Sequence, residues 1–195
     1  MIEREKINKL VKKYGTAVPR YTSYPTAPEW KDEFSQEKFE IAIQESNKTG
    51  KDFSLYLHIP FCESQCYFCG CNVIISPEHG IEDKYLDRLI EEIQYYGKQF
   101  SKDRKVSQMA WGGGTPTYLS PKQIHKLYDA IAESFSLYDI DKQTSYEYAI
   151  EIDPRVTTEA HLQALYDCGF NRLSMGIQDF NPETQTAINR IQSKE

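Results

Sequence analysis

The sequence predicts an α/β fold in which parallel strands alternate with helices. Short runs rich in apolar, aromatic and β-branched residues alternate with longer segments whose apolar residues recur at helical spacing. Capping residues, proline or glycine mark the ends of the helices. Each strand-like run is followed by residues that could bind a ligand or take part in catalysis. This alternation is typical of β/α units that build a parallel sheet.

The strand-like runs begin at Phe53, and the first 52 residues have a different character. They hold a basic arm, a stretch rich in proline and tyrosine, and a helical pattern near Gln36 to Glu45. The expected strands are Phe53 to Ile59, Val106 to Trp111, Ser145 to Ile152 and Asn171 to Ile177. We therefore expect an N-terminal extension over residues 1–52 and four β/α units over residues 53–195.

Helical periodicity fills the gaps between these strands. The first helix is indicated by Ile81, Tyr85, Leu89, Ile93 and Tyr96, and the second by Ile124, Leu127, Tyr128, Ile131 and Phe135. Ser120 precedes a proline and stands three residues before Gln123, which is a capping-box pattern. A third helix is expected from Thr158 to Cys168, where Gly169 follows, and a fourth begins at Asn181.

Composition narrows the class of function. The chain has 195 residues, of which 39% are hydrophobic and 13% aromatic, enough for one domain with a core. A net charge of −6 argues against a nucleic-acid-binding surface, and we find neither a membrane-spanning stretch nor a secretion signal. We expect a cytoplasmic protein, in which clustered thiols indicate a metal or catalytic site rather than disulfides.

Three cysteines, Cys62, Cys66 and Cys69, lie directly after the first expected strand. Thiolates are the usual ligands of [4Fe–4S] clusters, and three of them leave one iron open for chemistry unless a distant residue binds it. A structural zinc site is the alternative, although it usually needs a second pair of ligands. Cys71 would give a fourth thiolate, but it stands tightly beside Cys69. Cys168 is expected to be buried at a helix end.

The carboxyl ends of the expected strands carry the other candidate residues. The second strand leads into Gly112-Gly113-Gly114-Thr115, the third ends at Glu151 and Asp153, and the fourth ends at Gln178. Since these ends lie on one face of a parallel α/β fold, where ligands bind, we expect a single site there.

The glycine run and two residues of the first strand need separate interpretation. A run of three glycines suggests close approach of the backbone to a ligand, whereas a tight turn alone would account for one of them. No Gly-Lys-Ser/Thr follows, and Thr117 replaces the last glycine of a dinucleotide fingerprint. Tyr56 and His58 share one face of their strand and are candidates to face the ligand, with ordinary packing as the alternative.

The cysteine spacing, with Phe68 directly before the last cysteine, resembles the signature of radical S-adenosylmethionine (SAM) enzymes. Further stretches resemble one family of that superfamily, the oxygen-independent coproporphyrinogen III oxidases. They are Pro19 to Thr26, Tyr56 to Cys62 with Cys71 beyond it, Trp111 to Leu119, and Gly169 to Phe180. The resemblance covers nearly the whole chain. It implies an incomplete radical SAM partial barrel of about four parallel β/α units, preceded by an N-terminal extension.

The resemblance also implies a ligand set. Cys62, Cys66 and Cys69 would ligate a [4Fe–4S] cluster, and its free iron would be chelated by SAM. Arg190 would pair with the carboxylate of that cofactor, a contact suited to a guanidinium. The residues expected to bind the cofactor are Tyr56, Phe68, Gly112, Gly113, Gly114, Thr115, Glu151, Gln178 and Arg190.

The implied reaction is the oxidative decarboxylation of two propionates of coproporphyrinogen III to vinyl groups, which gives protoporphyrinogen IX. A 5′-deoxyadenosyl radical, released from SAM by one electron from the cluster, would remove a propionate hydrogen. Tyr56, His58 and Cys71 would act near the cofactor, with Cys71 not bound to iron. The expected partners are the porphyrinogen, an electron donor and an electron acceptor.

Two other interpretations stay open at this point. A haem-chaperone-like relative shares the strand, the cysteines and the glycine turn, but it generally lacks Cys71 and the Tyr-Thr-Ser-Tyr-Pro segment. A zinc-binding module without catalysis is the second alternative. Because the family has six units and a further C-terminal domain, we expect a missing C-terminal segment, an exposed edge at Asn171 to Ile177, and weak cluster binding with little or no turnover by the chain alone.

Overall fold

The structure is a computed structural model that describes residues 4–15, 26–31, 33–140 and 145–193. The chain divides into two compact units, Met1–Phe39 and Glu40–Glu195. The predicted division between residues 52 and 53 stays a prediction. Most of the proline- and tyrosine-rich stretch, residues 19–25, lies outside the described residues.

The first unit contains helix α1 (Arg4–Tyr14), which buries none of its residues, and a short 3₁₀ turn, Ala27–Glu29. Helix α2 (Gln36–Asn47) starts at the end of this unit and continues into the second. Its first turn is capped by Ser35, whose hydroxyl accepts a hydrogen bond from the amide of Lys38 at 3.3 Å. Phe34 packs edge-to-face on Phe39 with 6.5 Å between ring centroids, which is a hydrophobic staple across the helix start.

The second unit is built on a parallel sheet. Its strands are numbered β1 to β7 in chain order: β1 (Phe53–Ile59), β2 (Phe61–Cys62), β3 (Ile74–Ile75), β4 (Lys105–Gly113), β5 (Ser136–Leu137), β6 (Glu147–Ile152) and β7 (Arg172–Met175). The main sheet has the order β1-β4-β6-β7, with β5 also pairing with β4. Strands β2 and β3 form a separate parallel pair. The four predicted strands are therefore observed, in chain order across the sheet.

Helices follow the main strands as predicted: α3 (Glu82–Gly97), α4 (Pro121–Ser134), α5 (Glu159–Asp167) and α6 (Pro182–Ala187). The capping box at Ser120 is present, because its hydroxyl accepts from the amide of Gln123 while the Gln123 side chain accepts from the Ser120 amide. Thr158 makes an equivalent box with His161 at the start of α5. The predicted α/β class is confirmed.

The core lies between one face of the sheet and helices α3, α4 and α5. It is formed by alternate strand residues and by the apolar helix faces, with the largest fully buried side chains being Ile59, Phe61, Leu86, Met109, Trp111, Tyr118, Tyr148 and Ile150. The opposite face is different in character, because the register brings Tyr56, Ala110, Ala149 and Arg172 side by side across the four strands. Small residues in the middle of this face leave space above the sheet.

Strand β7 is exposed at the edge of the sheet. All four of its residues are solvent-exposed, and Leu173 and Met175 each retain 49% of their accessible surface. Within the part of the chain that the structure describes, β7 pairs with β6 alone. In the same described residues, no helix combines the length and the apolar character that crossing a membrane requires.

Candidate active site

A cavity of about 240 Å³ opens where the carboxyl ends of the strands meet. Predicted site residues form much of its wall: Cys62, Cys66, Phe68, Cys69, Cys71, Gly113, Gly114, Thr115, Glu151, Gln178 and Arg190. Three other predicted residues border this region without lining the cavity, namely Tyr56, His58 and Gly112. A Cβ on Gly112 would lie 3.1 Å from the Tyr56 hydroxyl and 3.1 Å from a Glu151 oxygen, and the ring of His58 lies against Gly113.

The segment from Cys62 to Cys69, here called the cysteine loop, is anchored by the residues that follow α6. The Tyr67 amide donates to the Ile188 carbonyl at 3.0 Å, and the side-chain amide of Asn189 donates to the Gln65 carbonyl at 2.8 Å. Within the loop, the Cys69 amide donates to the Cys66 carbonyl at 3.1 Å. All five cysteines are free thiols, and Cys66 is the buried one of the loop.

The other side of the cysteine loop rests on the turn after β4. The Gly114 amide donates to the Ile59 carbonyl at 2.9 Å, and the Thr115 amide donates to the Phe61 carbonyl at 2.8 Å. A hydrogen bond of 3.5 Å joins the Thr115 hydroxyl to the Cys62 sulfur. Burial raises the pKa of the Cys62 thiol above its ordinary value, and the bond to Thr115 offsets only part of that rise.

Two of the three glycines in the run are required by the protein's own packing. Gly113 has a φ of +112°, and a Cβ there would lie 2.6 Å from the His58 ring. A Cβ on Gly114 would lie 2.6 Å from the Phe61 carbonyl oxygen. Contacts with neighbouring residues account for glycine at these two positions, and the expected close approach of the backbone to a ligand stays a prediction.

Tyr56 and His58 form a hydrogen-bonded pair. The two atoms Tyr56 Oη and His58 Nδ1 are 3.2 Å apart, and His58 Nε2 lies 2.9 Å from the carbonyl of Asn72. Because that carbonyl can only accept, Nε2 carries the proton, and in a neutral ring Nδ1 accepts from the Tyr56 hydroxyl. The pKa of Tyr56 is raised, first by desolvation and then by the nearby Glu151 carboxylate. Glu151 in turn accepts from the Gly113 amide at 3.3 Å.

A buried ion-pair group stands beside Cys66. Asp153 lies 2.7 Å from Arg155 Nη2 and 3.0 Å from Arg190 Nη1, and both arginines reach the Cys66 sulfur, at 3.7 Å and 3.5 Å. Arg190 also donates to the Gly176 carbonyl, at 2.6 Å from Nη2. Burial alone would raise the pKa of Asp153, but the hydrogen bonds and charge of Arg155, with the charge of Arg190, lower it.

Arg155 is the site residue that sequence reasoning missed. Asp153 stood out as a strand-end carboxylate, but nothing in the Asp-Pro-Arg run after β6 distinguishes a buried pair from a polar turn. A guanidinium two residues after that carboxylate was the available signal. The contact with Cys66, 89 residues earlier, depends on the fold.

Gln178 lies three residues after the end of β7 and adopts an unusual backbone conformation. Its φ is +67°, in the left-handed region that residues other than glycine seldom occupy. Such strained positions concentrate at ligand sites, because the surrounding structure has to hold them there. Gln178 lines the cavity together with Arg190, so its conformation directs a polar side chain toward the site rather than continuing the strand.

The donor set fits an iron–sulfur cluster in its chemistry. Four free cysteines, the three of the cysteine loop and Cys71, border one cavity, and sulfur is the ligand that such clusters prefer. Among the described residues, no group of three or more His, Cys, Asp or Glu side chains is placed to hold a single metal ion. The cysteines of a [4Fe–4S] cluster bind separate irons and therefore need not converge on one point.

Comparison with known proteins identifies relatives of the chain. The family model described as "Radical SAM superfamily" matches residues 56–195. An oxygen-independent coproporphyrinogen III oxidase from Pseudomonas aeruginosa is 42% identical over 186 residues, which cover 95% of this chain and 40% of that protein. The corresponding protein from Salmonella typhimurium is 46% identical, with 95% and 39% covered.

A solved structure gives the same result. The coproporphyrinogen III oxidase from Escherichia coli, described as a radical SAM enzyme, matches with a TM-score of 0.83 and 44% sequence identity. The match covers 95% of this chain and 39% of that chain, so the chain spans about two fifths of the length of these relatives.

The family match settles the class of cofactors and the fold. The matched range of residues 56–195 is well over half of the chain, and the structural likeness confirms the predicted radical SAM fold. Proteins of this superfamily use a [4Fe–4S] cluster and SAM, as the resemblance implied. The chain belongs to the radical SAM superfamily.

Proposed function

We propose that the chain carries the cluster- and cofactor-binding part of an oxygen-independent coproporphyrinogen III oxidase. The observation that supports this most directly is the convergence of the three cysteines of the cysteine loop, the glycine turn and the strand-end polar residues on one cavity. Identities of 42% and 46% to proteins with that name favour the same reaction. When bound, the cluster would supply the electron for the reductive cleavage of SAM, and the 5′-deoxyadenosyl radical so released would remove a hydrogen atom from a propionate of the porphyrinogen.

The proposed ligands of the cluster are Cys62, Cys66 and Cys69. Their loop is held on one side by Ile188 and Asn189 and on the other by Thr115, which limits its movement before any metal binds. A restrained loop loses less conformational entropy when it coordinates iron, so this tethering favours assembly.

The proposed cofactor site lies in the same cavity as the cysteines. Glu151 provides a carboxylate that accepts hydrogen bonds, and Arg190 provides a positive charge for a carboxylate of the ligand. Gln178 offers an amide from its left-handed position. Phe68, which is 52% exposed, gives an apolar surface next to the cysteines. The proposed set is completed by Tyr56, Gly112, Gly113, Gly114 and Thr115.

The proposed catalytic residues are Tyr56, His58 and Cys71. Tyr56 keeps 63% of its surface exposed on the open face of the sheet, where a substrate can reach it. The Tyr56 hydroxyl donates a hydrogen bond to His58 Nδ1 in the neutral ring, which places the phenol proton between the two side chains next to the site. Cys71 is an exposed residue. The pKa of its thiol is raised first by partial desolvation and then by its hydrogen bond to Cys69. It therefore stays protonated near neutral pH and can donate hydrogen.

Anaerobic reconstitution tests the cofactor part of this proposal. With excess iron and sulfide we expect about four irons and four sulfides per chain, weakly held by the chain alone, and, in the reduced state, an electron paramagnetic resonance (EPR) signal that changes when SAM is added. Cys66→Ala should abolish the cluster, whereas the matched variant Cys71→Ala should keep it. Stoichiometric zinc without iron would instead support the zinc-binding module. The opposite result for the two cysteine variants would contradict the ligand assignment.

Turnover tests the reaction. The chain should be compared with a version extended by the segment that follows the matched region in the Escherichia coli relative. We expect vinyl products from coproporphyrinogen III with the extended version and little or none with the chain alone. An extended version that binds haem stoichiometrically and forms no vinyl product would support the haem-chaperone alternative and overturn the proposed reaction.

A further inference from the structure

Two arginines that share one aspartate contact the sulfur of Cys66. Arg155 Nη2 lies 3.7 Å from that sulfur and Arg190 Nη1 lies 3.5 Å from it. Both guanidiniums are paired with the carboxylate of Asp153. Cys66 retains 8% of its accessible surface, so this contact is shielded from solvent. Of the three cysteines in the loop, Cys66 is the one that these arginines reach among the described residues.

Asp153 fixes the direction in which Arg155 points. Arg155 donates to Asp153 Oδ1 from its amide and from Nε, both at 3.0 Å, and to Oδ2 from Nη2 at 2.7 Å. The backbone of Asp153 is fixed in turn, since its carbonyl accepts from the Thr157 amide at 3.0 Å and from the Thr157 hydroxyl at 2.7 Å. A forked pair of this kind has a defined geometry, which a point charge such as lysine cannot reproduce.

The charges of this group do not balance within it. One carboxylate faces two guanidiniums, which leaves a surplus of one positive charge beside Cys66. A buried charge without a counter-charge is costly, so the arrangement favours a negative partner at the sulfur. A cluster that gains an electron becomes more negative and is stabilised more strongly by this surplus.

We propose that Arg155, held by Asp153, donates a hydrogen bond to the Cys66 sulfur and raises the reduction potential of the cluster that Cys66 helps to hold. Hydrogen bonds to the sulfurs and nearby charge are among the features that set the potential of iron–sulfur clusters. Arg155 is thus a positioning residue that acts through a ligand, whereas Arg190 is assigned to the cofactor. This inference rests on the proposed function only in taking Cys66 as a ligand.

The test measures the midpoint potential of the reconstituted chain by redox titration followed by EPR. Arg155→Met removes both the hydrogen-bond donor and the positive charge. It should shift the reduction equilibrium about tenfold toward the oxidised cluster, which lowers the midpoint potential by about 59 mV for a one-electron couple. Arg155→Lys keeps the charge without the fork, and its potential should fall between those of Arg155→Met and the wild type. Arg88→Met, which removes an exposed arginine from α3, is the charge-matched control and should leave the potential unchanged.

A second measurement distinguishes a hydrogen bond from a general structural role. Resonance Raman spectra should show an iron–cysteine stretching band that shifts in deuterated solvent for the wild type, and the shift should be smaller in Arg155→Met, where the Arg190 contact with Cys66 remains. An unchanged potential in a loaded Arg155→Met chain overturns the inference while leaving the proposed function intact. Loss of the cluster from both Arg155 variants, with a loaded wild type, also overturns it, because the pair would then build the site rather than tune it. A wild type that assembles no cluster overturns the proposed function, and the inference with it.

Discussion

Asn189 and Gln65 are 124 residues apart in the chain, yet the Asn189 side chain donates a hydrogen bond of 2.8 Å to the Gln65 carbonyl. The bond joins the turn after α6 to the cysteine loop. Asn189 holds a φ of +53°, a conformation that asparagine and glycine adopt more readily than other residues. The side chain of Asn189 therefore tethers the cysteine loop, whereas its backbone has to hold a positive φ. A substitution that keeps this φ tests the tether alone.

Replacement of Asn189 by glycine should loosen the cysteine loop without straining the backbone. Glycine tolerates the positive φ, so the loss is confined to the tether. We expect the reconstituted cluster to lose iron to a chelator several-fold faster than in the wild type, by about a factor of 5, the equivalent of one neutral hydrogen bond. Asn171→Gly, at another asparagine whose side chain bonds backbone groups away from the loop, is the control. Equal iron release from the Asn189→Gly and wild-type chains would refute a role for the tether.

Three glycine variants separate conformational strain from steric conflict. Gly113→Ala combines a φ of +112° with contact of 2.6 Å with the His58 ring, which its own hydrogen bonds hold in place. Its free energy of unfolding should fall by about 1–3 kcal/mol. Gly80→Ala has a similar φ of +104° in open space and should lose about 1 kcal/mol.

Gly70→Ala is the control for that comparison, because a Cβ there meets nothing within 4 Å and its φ is not positive. It should be within about 0.5 kcal/mol of the wild type. Urea denaturation of the three variants gives the values. A Gly113→Ala chain no less stable than Gly80→Ala would show that His58 can move aside.

The stability that Glu82 contributes should depend on pH. Its carboxylate accepts from the Gly80 amide at 2.7 Å and from the Gln123 side chain at 3.0 Å, which links α3 to the cap of α4. Burial alone would raise the pKa of Glu82, but these hydrogen bonds outweigh it and lower the pKa below 4.5. A lowered pKa in the folded state stabilises the protein above the unfolded-state value, and this contribution is lost as the pH falls through the folded-state value.

Glu82→Gln should therefore be less stable than the wild type by about 1 kcal/mol near pH 7, and the difference should shrink as the pH falls below about 4.5. Urea unfolding at a series of pH values measures this. Glu91→Gln, at an exposed position on the same helix, should change stability by less than about 0.5 kcal/mol. A difference for Glu82→Gln that stays constant down to low pH would contradict a lowered pKa of Glu82 in the folded protein.

The exposed face of β7 should make the chain self-associate. Leu173 and Met175 lie on the same face of an edge strand and are each 49% exposed. An apolar strand edge of this kind is a template for pairing with another chain. Met175→Lys should lower the association measured by sedimentation over a range of concentrations. Leu162→Lys, on α5, removes a comparably exposed apolar side chain away from the edge and should have little effect. A wild type that stays monomeric throughout would refute this prediction.

The sequence predicted the elements that have strong local signals. The first strand is predicted at Phe53 to Ile59, as observed, because its residues alternate in polarity and the cysteines follow it directly. Ser120 and Gln123 placed the start of α4 through the chemistry of the cap. Strands β2, β3 and β5 were missed, since two-residue pairings have no periodicity to detect.

The convergence of the site was predictable, and its electrostatics were not. A topological rule brings the ends of parallel strands together, so Glu151 and Gln178 could be assigned to one cavity from their positions alone. The contact of Arg155 and Arg190 with Cys66 depends on how three loops from distant parts of the chain pack. Local sequence carries no information on such packing.

The tether from the turn after α6 has a consequence for biogenesis. During translation the cysteines leave the ribosome long before Ile188 and Asn189, whose contacts secure the backbone at Tyr67 and Gln65. Iron delivered to a nascent chain before that point would meet thiols on an unsecured segment. We therefore expect productive metallation to wait until residues 188 and 189 have emerged and packed against the cysteine loop.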